Sequence, residues 1–245
     1  MADEIDAGFD PAATLEQISA ATERVLLTAS RFTDADVRAP SLLPEWSRGH
    51  VLTHLARNAD GGRRLLRWAR TGVETPEYAS LAVRAEEIEA GAGRGAGELV
   101  ADVRESAARF AEEYRRMPLT AWDREVRWTA GQVHRAARAA DSRLCEVLVH
   151  HVDLNAGYPP EQWPADFVDD MLGRVVASFD RRENAPSLRL HATDTGVWHS
   201  VRATGPALEI HGRRGSLLAW LMGRSQGADL ILTDRQKLPV PPFLY

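Results

Sequence analysis

The sequence predicts an α+β protein: a bundle of four long helices followed by a small α+β domain. Apolar residues recur at helical spacing through most of the first two-thirds of the 245 residues. After Trp163 the pattern changes to short alternating runs separated by turn residues. Between the two, Gly157 and the Pro159-Pro160 pair interrupt the helical pattern. The domain boundary is therefore set near residue 160, with 1–160 as the helical part and 161–245 as the α+β part.

The first helix is expected from Thr14 to Ser30, where Leu15, Ile18, Val25 and Leu26 fall near one face. The second lies in SLLPEWSRGHVLTHLARNADGGRRLLRWARTG, with Ser47 as N-cap and Gly72 as the stop. A Gly/Ala-rich connection, EAGAGRGAGE, leads to a third helix from Leu99 to Met117, ended by Pro118. The fourth runs from about Arg138 to Asn155. Beyond Trp163 a helix is expected from Asp166 to Arg181. Strands follow in SLRLHAT, VWHSVRA and ALEIHG, the first pair turning at Asp194-Thr195-Gly196. A helix from about Ser216 to Gly223 and a strand near Asp229 to Thr233 complete the unit. Long helices joined in this way suit a bundle, and bundles build metal sites from inward side chains on facing helices.

Composition narrows the function. A formal net charge of -5 argues against nucleic acid as the main partner, because phosphate binding needs a basic surface. No apolar run approaches the roughly 20 residues of a membrane helix. The acidic start, MADEIDAGFDPAATLEQ, is unlike a secretory signal, so the cytoplasm is the expected compartment. One cysteine, Cys145, excludes an internal disulfide and any multi-cysteine metal cluster.

The chemistry gathers in RLCEVLVHHVDL. Glu146 and His150 are four apart, so on a helix their side chains share one face a turn apart. His54 sits among Val51, Leu52 and Leu55 in VLTHLARNA, on a face expected to look inward. Two imidazoles and a carboxylate from facing helices match the three-ligand, open-position arrangement of catalytic zinc. Nickel, iron(II) and cobalt suit the same donors. The spacing leaves rivals open: a surface Glu–His pair, a hydrogen-bonded core histidine, or His50 as a ligand instead. His151 points about 100° away from His150 and is expected on the helix flank.

The segments SLLPEWSRGHVLTHLARNADGG, GVETPEYASLAVRAEEIEAGA, RLCEVLVHHVDL and LLAWLMGRSQG, in this order, resemble the mycothiol-dependent maleylpyruvate isomerases. These are DinB-like metalloenzymes, and the resemblance runs from about Leu42 to Arg224. It implies a DinB-like four-helix bundle whose divalent metal, expected to be zinc, is held by His54, Glu146 and His150. It implies mycothiol as cofactor and a cis–trans isomerisation of maleylpyruvate, or a similar unsaturated oxo-acid, to fumarylpyruvate. A thiolate adds to the conjugated alkene, the single bond rotates, and the thiol leaves. A coordinating metal supplies the thiolate at neutral pH. The resemblance also names Arg84 and Arg224 as catalytic, as forks for the two substrate carboxylates. Arg224 would bring the C-terminal domain into the active site. The partners implied are a small-molecule substrate and a low-molecular-weight thiol, with no nucleic acid and no membrane, and a monomer is expected.

Other residues have plainer readings. Cys145 is expected as a buried small apolar residue, and Trp46 and Trp68 as core anchors. Asn58 and Asp60 line a polar cavity or face water, and Asp153 is placed to hydrogen-bond a ligand histidine. GRRG before the Ser216 helix is read as an ordinary turn ahead of an anion site. Two rival functions remain: a DinB-like thiol S-transferase, and a non-catalytic metal-binding protein. The two-arginine clamp favours the isomerase. Arg224→Ala is expected to lower turnover sharply with metal content intact; unchanged kinetics would remove Arg224 from the site.

Overall fold

A computed structural model of the chain describes residues 9–202, 205–233 and 237–241. The chain divides into two compact units, Met1–Ala156 and Gly157–Tyr245. The first contains α1 (Pro11–Ala29), α2 (Asp34–Arg38), α3 (Arg48–Thr71), α4 (Leu81–Ala92), α5 (Ala96–Arg115) and α6 (Ala137–Asp153), with a hairpin of β1 (Glu125–Arg127) and β2 (Val133–Arg135) before α6.

The four long helices α1, α5, α3 and α6 close a ring. Helix α3 packs on α5 and α6, and α1 packs on the same two from the other side. Helices α1 and α3 start where the sequence supplies a cap. Asp10 accepts from the Ala12 and Ala13 N–H groups at 2.9 and 3.2 Å, with Pro11 next. Ile18, Ala21, Val25 and Ala29 then form the buried stripe of α1. Ser47 caps α3, and His50, three residues on, accepts the Ser47 N–H through Nδ1 at 3.1 Å. Gly72, at φ 74°, ends it in the left-handed conformation.

The link between the second and third expected helices is a third element in its own right. EAGAGRGAGE is not a connection: α4 runs through Ala92 and α5 begins at Ala96. Only Ile88 and Ala92 of α4 are buried, so its apolar stripe is too thin to stand out in the sequence. Glu98 accepts the Gly95 N–H at 3.0 Å, and Asp34 of α2 accepts the Ala96 N–H at 2.8 Å. Helix α4 lies on α3 because glycine stands at the crossing. A Cβ at Gly49 would run into the Ala92 carbonyl, and one at Gly91 into the Thr53 side chain.

The register between α3 and α6 is set at their ends. Arg48, the first residue of α3, donates to the Leu154 carbonyl through Nε at 2.7 Å and to Asn155 through Nη2 at 2.8 Å. These are carbonyls that the end of α6 leaves without helical partners. Leu42 donates to the Asp153 carbonyl at 2.9 Å. The second turn of α3 is thereby held beside the last turns of α6.

The second unit has α7 (Ala165–Asp180), β3 (Leu188–Ala192), β4 (Val197–Val201), β5 (Leu208–Gly212), α8 (Arg214–Leu221) and β6 (Ile231–Leu232). Its sheet order is β4-β3-β5-β6, with β3 and β5 parallel and the other pairs antiparallel. Leu188, Leu190, Ala192, Val201 and Ile210 are buried. The expected DTG turn closes at Gly196, φ 75°. The N-terminus of α8 is taken by Asp194, which accepts the Arg214 N–H at 3.0 Å. GRRG is thus a capped turn. Among the described residues, no helix is long and apolar enough to cross a membrane. Gly49→Ala is expected to cost about 1–3 kcal/mol, the range for overpacking a tight contact, measured by urea unfolding; wild-type stability would mean α4 can move off α3 freely.

Candidate metal centre

Three donor atoms converge between α3 and α6. His54 Nε2 lies 2.7 Å from Glu146 Oε2 and 3.0 Å from His150 Nε2, and His150 Nε2 lies 3.1 Å from Glu146 Oε2. The two imidazole planes meet nearly at right angles, 86°, with centroids 4.5 Å apart. The side chains are 3%, 12% and 24% exposed for His54, His150 and Glu146, so the group opens to solvent on the Glu146 side. These three residues form a group that could hold a metal ion.

The donor set fits such an ion. Two neutral imidazole nitrogens and a carboxylate oxygen are a common three-ligand set. Bonds near 2.05 Å in tetrahedral geometry separate donor atoms by about 3.3 Å. A few tenths of an ångström of spreading would meet that spacing. Behind His150, Asp153 Oδ2 accepts from Nδ1 at 2.7 Å, and that carboxylate is 1% exposed. The bond leaves His150 Nε2 facing the cluster, the orientation a ligand needs.

His54 is held differently. The Arg84 guanidinium, which only donates, lies 3.1 Å from His54 Nδ1. Nδ1 is therefore an acceptor, and the ring proton sits on Nε2, donated to Glu146. Coordination through Nε2 requires that proton on Nδ1 instead, where the Arg84 donor now stands. Arg84 and a metal ion accordingly favour opposite tautomers of His54.

The electrostatics follow from burial and neighbours. Burial, then the charge of His150, pushes His54 down to about 4, so it is neutral at neutral pH. Burial would lower His150 too, but hydrogen bonds to Asp153 and Glu146 overcome it and raise it to about 9. Partial burial opposes the charge on Glu146, yet the two histidines hold it well below the usual carboxylate range.

The expected neighbours sort clearly. His50 does not join the group: its Nδ1 caps α3 and its Nε2 donates to Glu89 at 3.1 Å. His151 is not on an open flank but buried, with Nε2 2.8 Å from the Thr28 hydroxyl of α1. Trp46 is no core anchor; its half-buried ring lies against His50 and His54, centroids 6.1 and 5.6 Å away. Trp68 does pack on the core. Cys145 is only partly buried. Asn58 accepts from Arg143 at 2.8 Å, and buried Asp60 holds Arg57 and Arg109. Neither simply faces water.

Arg84 stands at the cluster, its guanidinium also 5.7 Å from the Tyr78 ring. Arg224 lies just past α8, where Nη1 donates to the Met222 carbonyl at 2.8 Å. Tyr78 and Arg143 were not anticipated. Tyr78 is buried, and its phenol is pushed up by burial and then by Glu77. The signal for Arg143 was its place three residues before Glu146, on a helix row that faces inward.

The metal-free protein should carry a pH signature. His150 is raised from 6.5, so its contribution to stability is full below about pH 6.5 and is lost as pH rises through about 9. Glu146 is depressed, so its contribution holds above its ordinary 4.5 and is lost as pH falls. Asp153→Asn is expected to lower the His150 titration and bring the alkaline loss of Tm to lower pH, read by imidazole NMR and melting curves. An unmoved His150 titration would sink this assignment.

Comparison with known proteins follows the same lines. The model of the mycothiol maleylpyruvate isomerase N-terminal domain matches residues 18–155, and that of the MDMPI C-terminal domain matches 162–240. No curated protein matches the chain. Among solved structures, the crystal structure of the mycothiol-dependent maleylpyruvate isomerase is similar at 24% identity, covering 96% of this chain and 98% of that one, with a TM-score of 0.90. A histidine-to-alanine mutant of that enzyme gives the same figures. At this identity the likeness establishes the fold, a helix-rich N-terminal part with a small C-terminal sheet. The family models, the first of which alone covers more than half of the 245 residues, go further: the chain belongs to the mycothiol maleylpyruvate isomerase family.

Proposed function

We propose that this chain is a metal-dependent isomerase that uses mycothiol to convert maleylpyruvate, or a close unsaturated oxo-acid, from cis to trans. The observation that carries the reading is the convergence of His54, Glu146 and His150 from two helices, with Asp153 behind one imidazole and Arg84 on the other. A divalent ion, zinc by its donor set, would be held by these three residues and would keep a coordinating thiol deprotonated at neutral pH.

The chain's own residues account for the rest. Asp153 fixes the His150 proton on Nδ1. Glu146 stays ionised and brings a negative charge that offsets the ion. Trp46 covers His54 and keeps water from that side of the ring. When a nucleophile adds to the conjugated alkene, negative charge builds on the oxo-acid, and a fixed cation nearby stabilises it. Arg84, within hydrogen-bonding distance of His54, is suited to that task and to gripping a carboxylate in two-pronged fashion. Arg224 is assigned to the other carboxylate by resemblance to the family. Release of the thiol, as opposed to its retention in product, separates this reading from the S-transferase, which no observation favours.

The deciding experiment is elemental analysis of wild type and His150→Ala, with maleylpyruvate turnover followed with and without mycothiol. About one metal per wild-type chain, lost in the variant, and thiol-dependent turnover are expected. Metal without turnover would remove the isomerase. In the same assay Arg84→Met is expected to lower turnover while tightening metal binding, because the competing donor and its charge are gone; weaker metal binding would contradict the tautomer argument.

A further inference from the structure

Arg143 is a fully buried cation with unused donors. It is 2% exposed, on α6 one turn before Glu146. Its Nη1 donates to the Leu55 carbonyl and to Asn58 Oδ1, both at 2.8 Å, on the turn of α3 that follows His54. Its Nε and Nη2 are buried and have no hydrogen-bond partner. Among the described residues, no carboxylate stands within ion-pair distance of it. Burial pushes the guanidinium down only to about 10, so it stays charged at neutral pH.

An unpaired buried charge is among the costliest arrangements a core can hold. Simple packing does not explain it, because the two bonds to α3 use only one of the three guanidinium nitrogens. The guanidinium lines a cleft of about 10 Å³ with Asn58, Gly62, Trp128, Ala139 and Ser142. That is room for one oxygen atom at the guanidinium, in a cleft that is not closed off from solvent. Glu77 also borders the cleft, but its Oε2 is engaged by the Thr129 N–H and hydroxyl, both at 3.1 Å. The remaining chemistry is that of an oxyanion receptor: two N–H donors, a full positive charge and space for a single acceptor.

We propose that Arg143 and Asn58 form a buried subsite that takes one carboxylate oxygen of the substrate, about one turn along α3 and α6 from His54 and Glu146 and apart from the Arg84 guanidinium. This rests on the isomerase reading for the identity of the substrate, but not for the presence of the subsite. The ligand class is a small dicarboxylate, one end of which is clamped while the other is free to turn. Holding one end fixed is what rotation about a single bond requires if the product is to leave in a defined geometry.

The test is maleate binding to metal-loaded protein by calorimetry, in wild type, Arg143→Lys and Asn58→Asp, with metal content measured on each. Lysine keeps the charge but loses the fork, so maleate affinity should fall about tenfold or more, the loss of one or two charge-assisted hydrogen bonds, at unchanged metal content. Asn58→Asp places a carboxylate against Arg143, and should raise the Tm while also weakening maleate. If Arg143→Lys fails to fold, Asn58→Asp decides by itself. Wild-type maleate affinity in both variants, or no maleate binding by wild type, would overturn the subsite and leave Arg143 holding a buried water only. Maleate binding that depends on Arg143 in a protein without maleylpyruvate turnover would keep the subsite and remove the isomerase.

Discussion

The candidate metal centre depends on Arg48. Its guanidinium ties the first turn of α3 to the carbonyls at the end of α6, and everything between those helices is positioned by that clamp. On the second turn of α3 comes His54; at the end of α6 stands Asp153, and one turn back from Leu154 comes His150. A shift of either helix by a single residue would turn the donors away from one another by about 100°. The energetic cost of bringing so many ionisable groups together in a core is met locally. Glu146 is held by two imidazoles, and Asp153 by one of them.

The pair Asp153 and Arg84 divides the two histidines into different roles. Asp153 holds His150 in the orientation a ligand needs, with Nε2 toward the cluster. Arg84 holds His54 in the state it must leave. One imidazole is prepared in advance and the other is contested, which makes the affinity of the site sensitive to a residue that is not itself a donor. Helix α4, which brings Arg84, reaches α3 only because Gly49 and Gly91 let the two backbones meet. A packing detail thus bears on the chemistry of the centre.

Much of this was legible in the sequence, and the reasons are local. Ser47, Gly72 and Pro118 mark helix ends by their own conformational preferences. Glu146 and His150 are brought together by helical periodicity alone, without reference to the rest of the fold. What escaped depends on partners distant in the chain. The burial of His151 is decided by Thr28 of α1. The three-residue strands β1 and β2 are too short for alternation to register. Helix α4 buries so little that its Ala, Glu and Gly look like a linker. Arg143 is obscured by the abundance of arginine, and its one signal is its place on the row of α6 that also carries Glu146. The placement of Arg84 came from family resemblance and not from spacing.

All three donors, the supporting Asp153 and the Arg48 clamp belong to the first of the two units. The capacity to acquire an ion is therefore encoded in one continuous stretch of chain. Selection on the second unit can proceed without touching it. Replacement or drift of the C-terminal module would leave this donor group intact, which is how a single scaffold comes to serve several chemistries.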